Sequence, residues 1–109
     1  MVRRVTAIDP TVVIERMARR LRAEGAEHPV AAALAVAARG HARLTAHEYA
    51  ASVGLPVDLI DSAETGGIAF SDLPMVVGEQ TGAIGADLLS LADLEASWRT
   101  DPPIRAAAP

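Results

Sequence analysis

The sequence contains no cysteine and only three aromatic residues, Tyr49, Phe70 and Trp98. Without thiols the chain cannot form a disulfide, bind zinc through sulfur or use a thiolate in catalysis. Runs of aromatic and β-branched residues, which build strands, are also scarce, and alanine dominates the apolar half of the composition. The composition therefore predicts an all-α protein, and 109 residues are enough for one compact domain with its own core.

Long apolar runs are missing as well. None reaches the roughly 20 residues that a membrane-spanning helix needs, and the N-terminus lacks the apolar centre of a signal peptide. We therefore expect a cytoplasmic protein that does not bind membranes.

The charges are unevenly distributed along the chain. All ten basic residues are arginine, and eight of them lie in residues 1–44 together with four acids. Residues 45–109 contain two arginines and ten acids, so the first segment has a net charge of +4 and the second of −8. This asymmetry either marks a surface for nucleic acid or a partner, or reflects arginines that solvate the outer face of the first helix.

Local signals predict six helices, of which the first stands apart. Asp9 is a good N-cap and Pro10 is tolerated at the first helical position, so a helix should begin there and end at Gly25. Its arginines fall on one side and its apolar residues on the other, which predicts a basic amphipathic N-terminal unit over 1–28. Such a helix can pack across the domain, mediate a homodimer or lie along a phosphate backbone.

The second predicted helix, 30–39, is apolar nearly all round and should be buried at the centre, with Gly40 ending it. Two short helices follow within residues 44–66. The remaining predicted elements are a short helix over 72–77 capped by Ser71, a glycine-containing loop over 78–85, a last helix over 86–98 and a mobile tail over 100–109.

The two short helices have the clearest local signals. Thr45 and Glu48 have the spacing of a capping box, in which each side chain satisfies a backbone N–H of the other residue. Gly54 suits the left-handed conformation that ends a helix, and Pro56 restricts the turn that follows. A second helix is predicted from there, over 57–64.

This stretch resembles the helix-turn-helix of the Xre/Cro (lambda-repressor-like) DNA-binding domains, whose pattern is L-T-x-x-E-L-A-x-x-L-G-V-S-x-x-x-I-S-x-x-E-x-G. The resemblance covers about residues 30–98. It implies a five-helix bundle over 29–99, with the N-terminal helix added to it, in a small DNA-binding transcriptional regulator that acts as a dimer. The matching residues are Leu44, Thr45, Glu48, Ala50, Gly54, Ile60, Glu64 and Gly66, with Tyr49 and Val53 at leucine positions and Leu55 at a valine position.

The resemblance also implies which residues would contact double-stranded DNA. Cations and backbone amides near the start of the first motif helix would hold phosphates, and the second motif helix would reach base edges in the major groove. The candidate residues are Arg39, Arg43, Thr45 and His47 for phosphates, and Val57, Asp58, Asp61 and Ser62 for base edges.

An alternative follows from the charge of the second motif helix. It contains Asp58 and Asp61 but no Arg, Lys, Asn or Gln, the residues that make most base contacts. The chain would then be a degenerate helix-turn-helix used as an adaptor or antitoxin-like module, which binds a protein partner through this acidic helix. Arginines on the same face as Val57–Ser62 would favour DNA, and arginines on the opposite face would favour a protein.

Patterns for catalysis or cofactor binding are missing. His47-Glu48 begins like the zinc-protease motif H-E-x-x-H, but Ala51 stands where the second histidine is needed. The glycines of 78–85 are not followed by the lysine of a phosphate-binding loop. We therefore expect neither an enzyme nor a bound metal or cofactor.

Overall fold

The computed structural model describes residues 9–100, which contain six α-helices and no strand. The predicted all-α class is confirmed for this part of the chain. None of its helices is long and apolar enough to cross a membrane. The helices are α1 Pro10–Ala23, α2 Pro29–Ala42, α3 Ala46–Val53, α4 Val57–Glu64, α5 Met75–Ala83 and α6 Leu88–Thr100, and a 3-10 turn at Phe70–Asp72 precedes α5.

Helix α2 is the centre of the bundle, as its apolar sequence predicts. Its first seven residues, Pro29 to Ala35, are all buried, and each of the other five helices packs against it. The small alanine side chains of α2 let the other helices approach it closely, because the distance between two packed helices depends on the size of the residues at their contact. The largest fully buried side chains of the core are Ile14, Leu34, Tyr49 and Leu91.

Helix α1 packs on α2 and α6. Asp9 caps it by accepting the N–H of Thr11 at 2.9 Å, as predicted, and Ile14 and Ala18 are buried in the common core. The Thr11 hydroxyl in turn accepts the N–H of Asp87 at 2.8 Å, which ties the beginning of α1 to the beginning of α6. Of the three roles considered for this helix, packing across the domain is therefore observed.

The predicted end of α2 is wrong. Gly40 lies inside the helix, which continues to Ala42, and Arg43 takes the left-handed conformation with φ 60°. A glycine costs a helix only about 1 kcal/mol relative to alanine. The guanidinium of Arg39 also donates to the carbonyl of Leu44 at 3.1 Å, which bridges the end of the helix. The helix therefore passes through the glycine and stops where this side-chain bond closes the turn.

The predicted helix over 72–77, capped by Ser71, is wrong as well. Pro74 precedes α5 and does not lie inside a helix, because proline disfavours helical backbone in the residue before it. That residue, Leu73, has the extended values φ −63° and ψ 142°. The 3-10 turn ends there, and α5 begins immediately after the proline.

The predicted glycine loop over 78–85 is observed only from residue 84 onward. Gly78 and Gly82 lie within α5, on a side that faces Leu88 of α6. Packing therefore keeps this segment helical in spite of its low intrinsic propensity. Helix α6 begins two residues later than predicted and includes Thr100, and the rest of the predicted tail lies outside the described residues.

Candidate functional site

Helices α3 and α4 pack on each other and meet at a corner fixed by local residues. The Thr45 hydroxyl accepts the N–H of Glu48 at 3.1 Å, and the Glu48 carboxylate accepts the N–H of Thr45 at 2.9 Å, which completes the predicted capping box. Gly54 ends α3 with φ 72°, and the N–H of Leu55 donates to the carbonyl of Ala50 at 3.0 Å. The Thr45 hydroxyl, a candidate phosphate contact, therefore accepts one bond as a helix cap and keeps its own O–H as a donor.

Helix α4 has one buried face and one exposed face. Ile60 and Ala63 are buried, and the helix packs on α2 and α3. Asp58, Asp61 and Ser62 are exposed, and we call these three residues the acidic face. Within residues 9–100, no ion pair or hydrogen bond engages either aspartate side chain. Both carboxylates are therefore available to a ligand.

The neighbourhood of the acidic face is poor in positive charge. The whole stretch from Leu44 to Gly66 contains four acids and no arginine or lysine. Val57, the fourth residue predicted to reach base edges, is half-buried, and Pro56 leaves α4 without a side-chain N-cap. A polyanion approaching this surface would meet like charge, whereas a cationic ligand would be attracted.

Arg39 reaches α4, but its charge is already paired. Its Nε donates to Glu64 at 2.6 Å and its Nη2 donates to the other carboxylate oxygen at 2.9 Å. The hydrogen-bonded carboxylate of Glu64 raises the pKa of Arg39 against the opposing effect of burial, and the nearby charge of Asp61 adds to it. Its Nη1 donates to the carbonyl of Leu44, so all three nitrogens are bonded and this candidate phosphate contact is a structural clamp between α2 and α4.

Arg43 and His47 remain the two exposed basic candidates beside the motif. Arg43 follows α2 in the left-handed conformation, and His47 lies in the first turn of α3. Neither side chain has a hydrogen bond or ion pair within the part of the chain that the structure describes. They are close in sequence, but they provide only one permanent positive charge between them.

The other arginines of the first helix belong to a different surface. The guanidinium carbons of Arg22 and Arg19 lie 4.6 and 6.0 Å from the ring centroid of Trp98, which is on α6. These cation–π contacts join α1 to α6, whereas α3 and α4 join each other and α2. Arg19 and Arg22 are thus engaged with the indole of Trp98 and make no described contact with Asp58 or Asp61.

A buried carboxylate that the sequence analysis did not single out holds three elements together. Glu95 of α6 is 4% exposed. Its two oxygens accept the N–H of Ala31, in the first turn of α2, at 3.3 Å and the N–H of Phe70 at 2.8 Å. Because Glu95 follows the buried Leu91 by four residues, it lies on the apolar stripe of α6, and this position was a signal that it is buried.

An apolar groove runs between the first half of α1 and the second half of α2, with a volume of about 540 Å³. Val13 and Met17 line one side, Val36 and Gly40 line the other, and Ile84 closes one end. Among the described residues, His41 is the one lining residue with a polar side chain, so the groove offers mainly apolar contact.

In comparisons with known proteins, no family model, no curated protein and no solved structure matches this chain significantly. The resemblance to the Xre/Cro domains therefore stays a prediction that rests on the residues of the motif.

Proposed function

We propose that α2 to α6 form a helix-turn-helix domain of the Xre/Cro type, and that the chain acts as a protein-interaction module whose acidic face binds a cationic protein surface. The completed capping box at Thr45, the left-handed Gly54 and the packing of α3 on α4 support the fold. The exposed and unpaired carboxylates of Asp58 and Asp61 carry the functional part. Arginine clusters on proteins recognise acidic motifs through charge-assisted hydrogen bonds to carboxylates.

The state of Arg39 supports this function over nucleic-acid binding. A DNA-binding surface needs cations that can meet phosphates. Of the two arginines proposed for that role, Arg39 is bonded to Glu64, and only Arg43 has no ion pair or hydrogen bond within residues 9–100. The remaining surface is dominated by carboxylates, which attract arginine and repel phosphate.

DNA binding by a transcriptional regulator is the second candidate. It is favoured by the exposure of His47, Asp58, Asp61 and Ser62 along one continuous pair of helices, and by the unpaired Arg43 before it. Under this function, Arg43→Ala weakens binding to all sequences alike, because a phosphate contact carries no sequence information. Asp61→Ala changes the sequence preference, because aspartate accepts a hydrogen bond from cytosine.

One binding experiment separates the two functions. Fluorescence anisotropy measures the affinity of the chain for two labelled probes, an amphipathic helical peptide with arginines at i, i+3 and i+4, and a mixed-sequence DNA duplex, at several salt concentrations. The interaction module binds the peptide and leaves the duplex free at low salt. A regulator binds the duplex, with a log–log salt slope of about −0.9 for each phosphate contact.

The variant D58N/D61N removes both charges of the acidic face without changing side-chain size. We expect it to lose peptide binding. The control D72N/D93N removes the same charge from two exposed aspartates on other elements and should keep it. Equal losses in both variants would mean that net charge, and not the acidic face, attracts the peptide, and the proposed function would be wrong.

A further inference from the structure

The outward side of α1 is a helix face that no other described element covers. Arg16, Arg19 and Arg20 are exposed on it at helical spacing, and Val12 is 39% exposed one turn earlier. Arg19 lies over Trp98, while Arg16 and Arg20 have no ion pair or hydrogen bond within residues 9–100. We call Val12, Arg16, Arg19 and Arg20 the basic face.

The basic face and the acidic face have matching dimensions. Arg16 is separated from Arg19 by three residues and from Arg20 by four, and Asp58 is separated from Asp61 by three. At about 1.5 Å per residue, Arg19 and Arg20 lie about 4.5 and 6 Å beyond Arg16 along α1, and Asp61 lies about 4.5 Å beyond Asp58 along α4. Two helices laid face to face can thus bring two arginines opposite two aspartates at the same time.

The two faces do not meet within one molecule. Within residues 9–100, no ion pair joins Arg16, Arg19 or Arg20 to Asp58 or Asp61. Both faces are exposed to solvent, with Arg16, Arg19 and Arg20 on α1 and Asp58 and Asp61 on α4.

We propose that the cationic partner of the acidic face is a second copy of this chain, which docks through its basic face. This inference rests on the proposed function and names its partner. Such a contact is heterologous, because two different surfaces meet, so each added copy leaves a free acidic face at one end and a free basic face at the other. Exposed ion pairs are weak and screened by salt, so the association belongs to low ionic strength.

Sedimentation equilibrium of the full chain tests the association directly. At an ionic strength of about 0.01 M, where charges interact over about 30 Å, the average mass exceeds that of one chain and rises with concentration beyond two chains. At about 1 M, where this distance falls to about 3 Å, the mass returns to that of a single chain. A chain that is monomeric at low salt overturns the inference.

Neutral variants assign the contact to the two faces. D58N/D61N lacks the charge of the acidic face, and R16Q/R20Q lacks most of the basic face but keeps Arg19 over Trp98. Each variant alone is expected to be monomeric at low salt with an unchanged helical circular dichroism spectrum. An equimolar mixture of the two pairs the intact acidic face of one with the intact basic face of the other, and growth stops at two chains.

The control D72N/D93N, with the same charge as D58N/D61N, should associate like the unmodified chain. Association that persists at high salt and in both charge variants belongs to the apolar groove and overturns the inference. A chain that stays monomeric but binds the arginine peptide through Asp58 and Asp61 overturns only this inference. Loss of peptide binding as well overturns the proposed function.

Discussion

The carboxylate of Glu95 accepts the backbone N–H of Phe70 at 2.8 Å, although 25 residues of sequence separate them. The other oxygen of the same group accepts the N–H of Ala31, whose helix begins after His28 without a side-chain cap. One buried side chain of α6 thus replaces the missing N-cap of α2 and anchors the 3-10 turn. Charge-assisted bonds of this kind are stronger than neutral ones, and a helix N-terminus favours negative charge.

Replacing Glu95 should destabilise the fold. Glu95→Gln keeps one acceptor but turns an NH₂ group toward a backbone N–H, so one buried donor loses its partner at a cost of about 1–3 kcal/mol. The free energy of unfolding from urea titrations measures this loss. Asp93→Asn on the exposed side of the same helix is the control and should lie within about 0.5 kcal/mol of the unmodified chain. Equal stabilities of the two variants would contradict the role of Glu95.

The pair of Arg39 and Glu64 should show energetic coupling. Their side chains are 29% and 13% exposed, so Arg39→Ala leaves a largely buried carboxylate without its cation and should cost about 1–3 kcal/mol. Removing both residues should cost less than the sum of the two single changes, because no unpaired charge remains. Urea unfolding of the two single variants and the double variant measures this coupling in a double-mutant cycle. Additive effects would show that the clamp between α2 and α4 carries no energy.

Tyr49 predicts how stability changes at alkaline pH. Burial, and to a smaller extent the charge of Glu64, raise the pKa of Tyr49 above its usual value of 10.0. The folded state therefore holds this proton more tightly than the unfolded state. The contribution of Tyr49 to the free energy of unfolding is complete below pH 10 and is lost as pH rises through the pKa of Tyr49 in the folded state. Since Tyr49 is the only tyrosine, tyrosinate absorbance follows its titration alone.

The variant Tyr49→Phe isolates this effect. It should be less stable at neutral pH, because the hydroxyl donates to Gln80 at 2.6 Å. Its stability should also fall less steeply above pH 10, because it has no phenol to ionise. The prediction is contradicted if the free energy of unfolding falls equally with pH in the unmodified chain and in Tyr49→Phe. It is also contradicted if the tyrosinate absorbance shows the usual pKa of 10.0 for Tyr49.

Two glycines provide a matched test of backbone conformation. A β-carbon at Gly40 or at Gly54 would meet no atom within 4 Å, so space is equal at the two sites. Gly40 is helical, and Gly40→Ala should raise stability by about 0.5–1 kcal/mol. Gly54 has φ 72°, and Gly54→Ala should lower stability by about 1–2 kcal/mol, because a β-carbon clashes in left-handed backbone. Thermal unfolding of both variants should therefore show shifts of opposite sign.

The corner between α3 and α4 was predictable because its determinants are local. Thr45 and Glu48 are three residues apart and act on each other's backbone, and Gly54 suits the conformation that ends α3. The same kind of local signal located Asp9 as the cap of α1. Each of these residues acts on atoms only a few residues away, so the spacing in the sequence contains the necessary information.

The failures of prediction have both local and non-local causes. A bond from Arg39 to the carbonyl of Leu44 closes the turn beyond Gly40, and Pro74 keeps Leu73 extended. The contact of Gly78 and Gly82 with Leu88 is non-local, and the candidate site shows the same limit. The exposure of Asp58 and Asp61 followed from the helical pattern, but the pairing of Arg39 depends on a contact between residues that are 25 positions apart.

The indole of Trp98 lies beneath Arg19 and Arg22, and it is the only tryptophan in the chain. Its fluorescence therefore reports on one place, the contact between α1 and α6, without any introduced label. A ligand bound only to α4 should leave the emission spectrum unchanged, whereas a second molecule resting on α1 should alter it. Tryptophan fluorescence thus distinguishes a ligand on α4 from a ligand on α1.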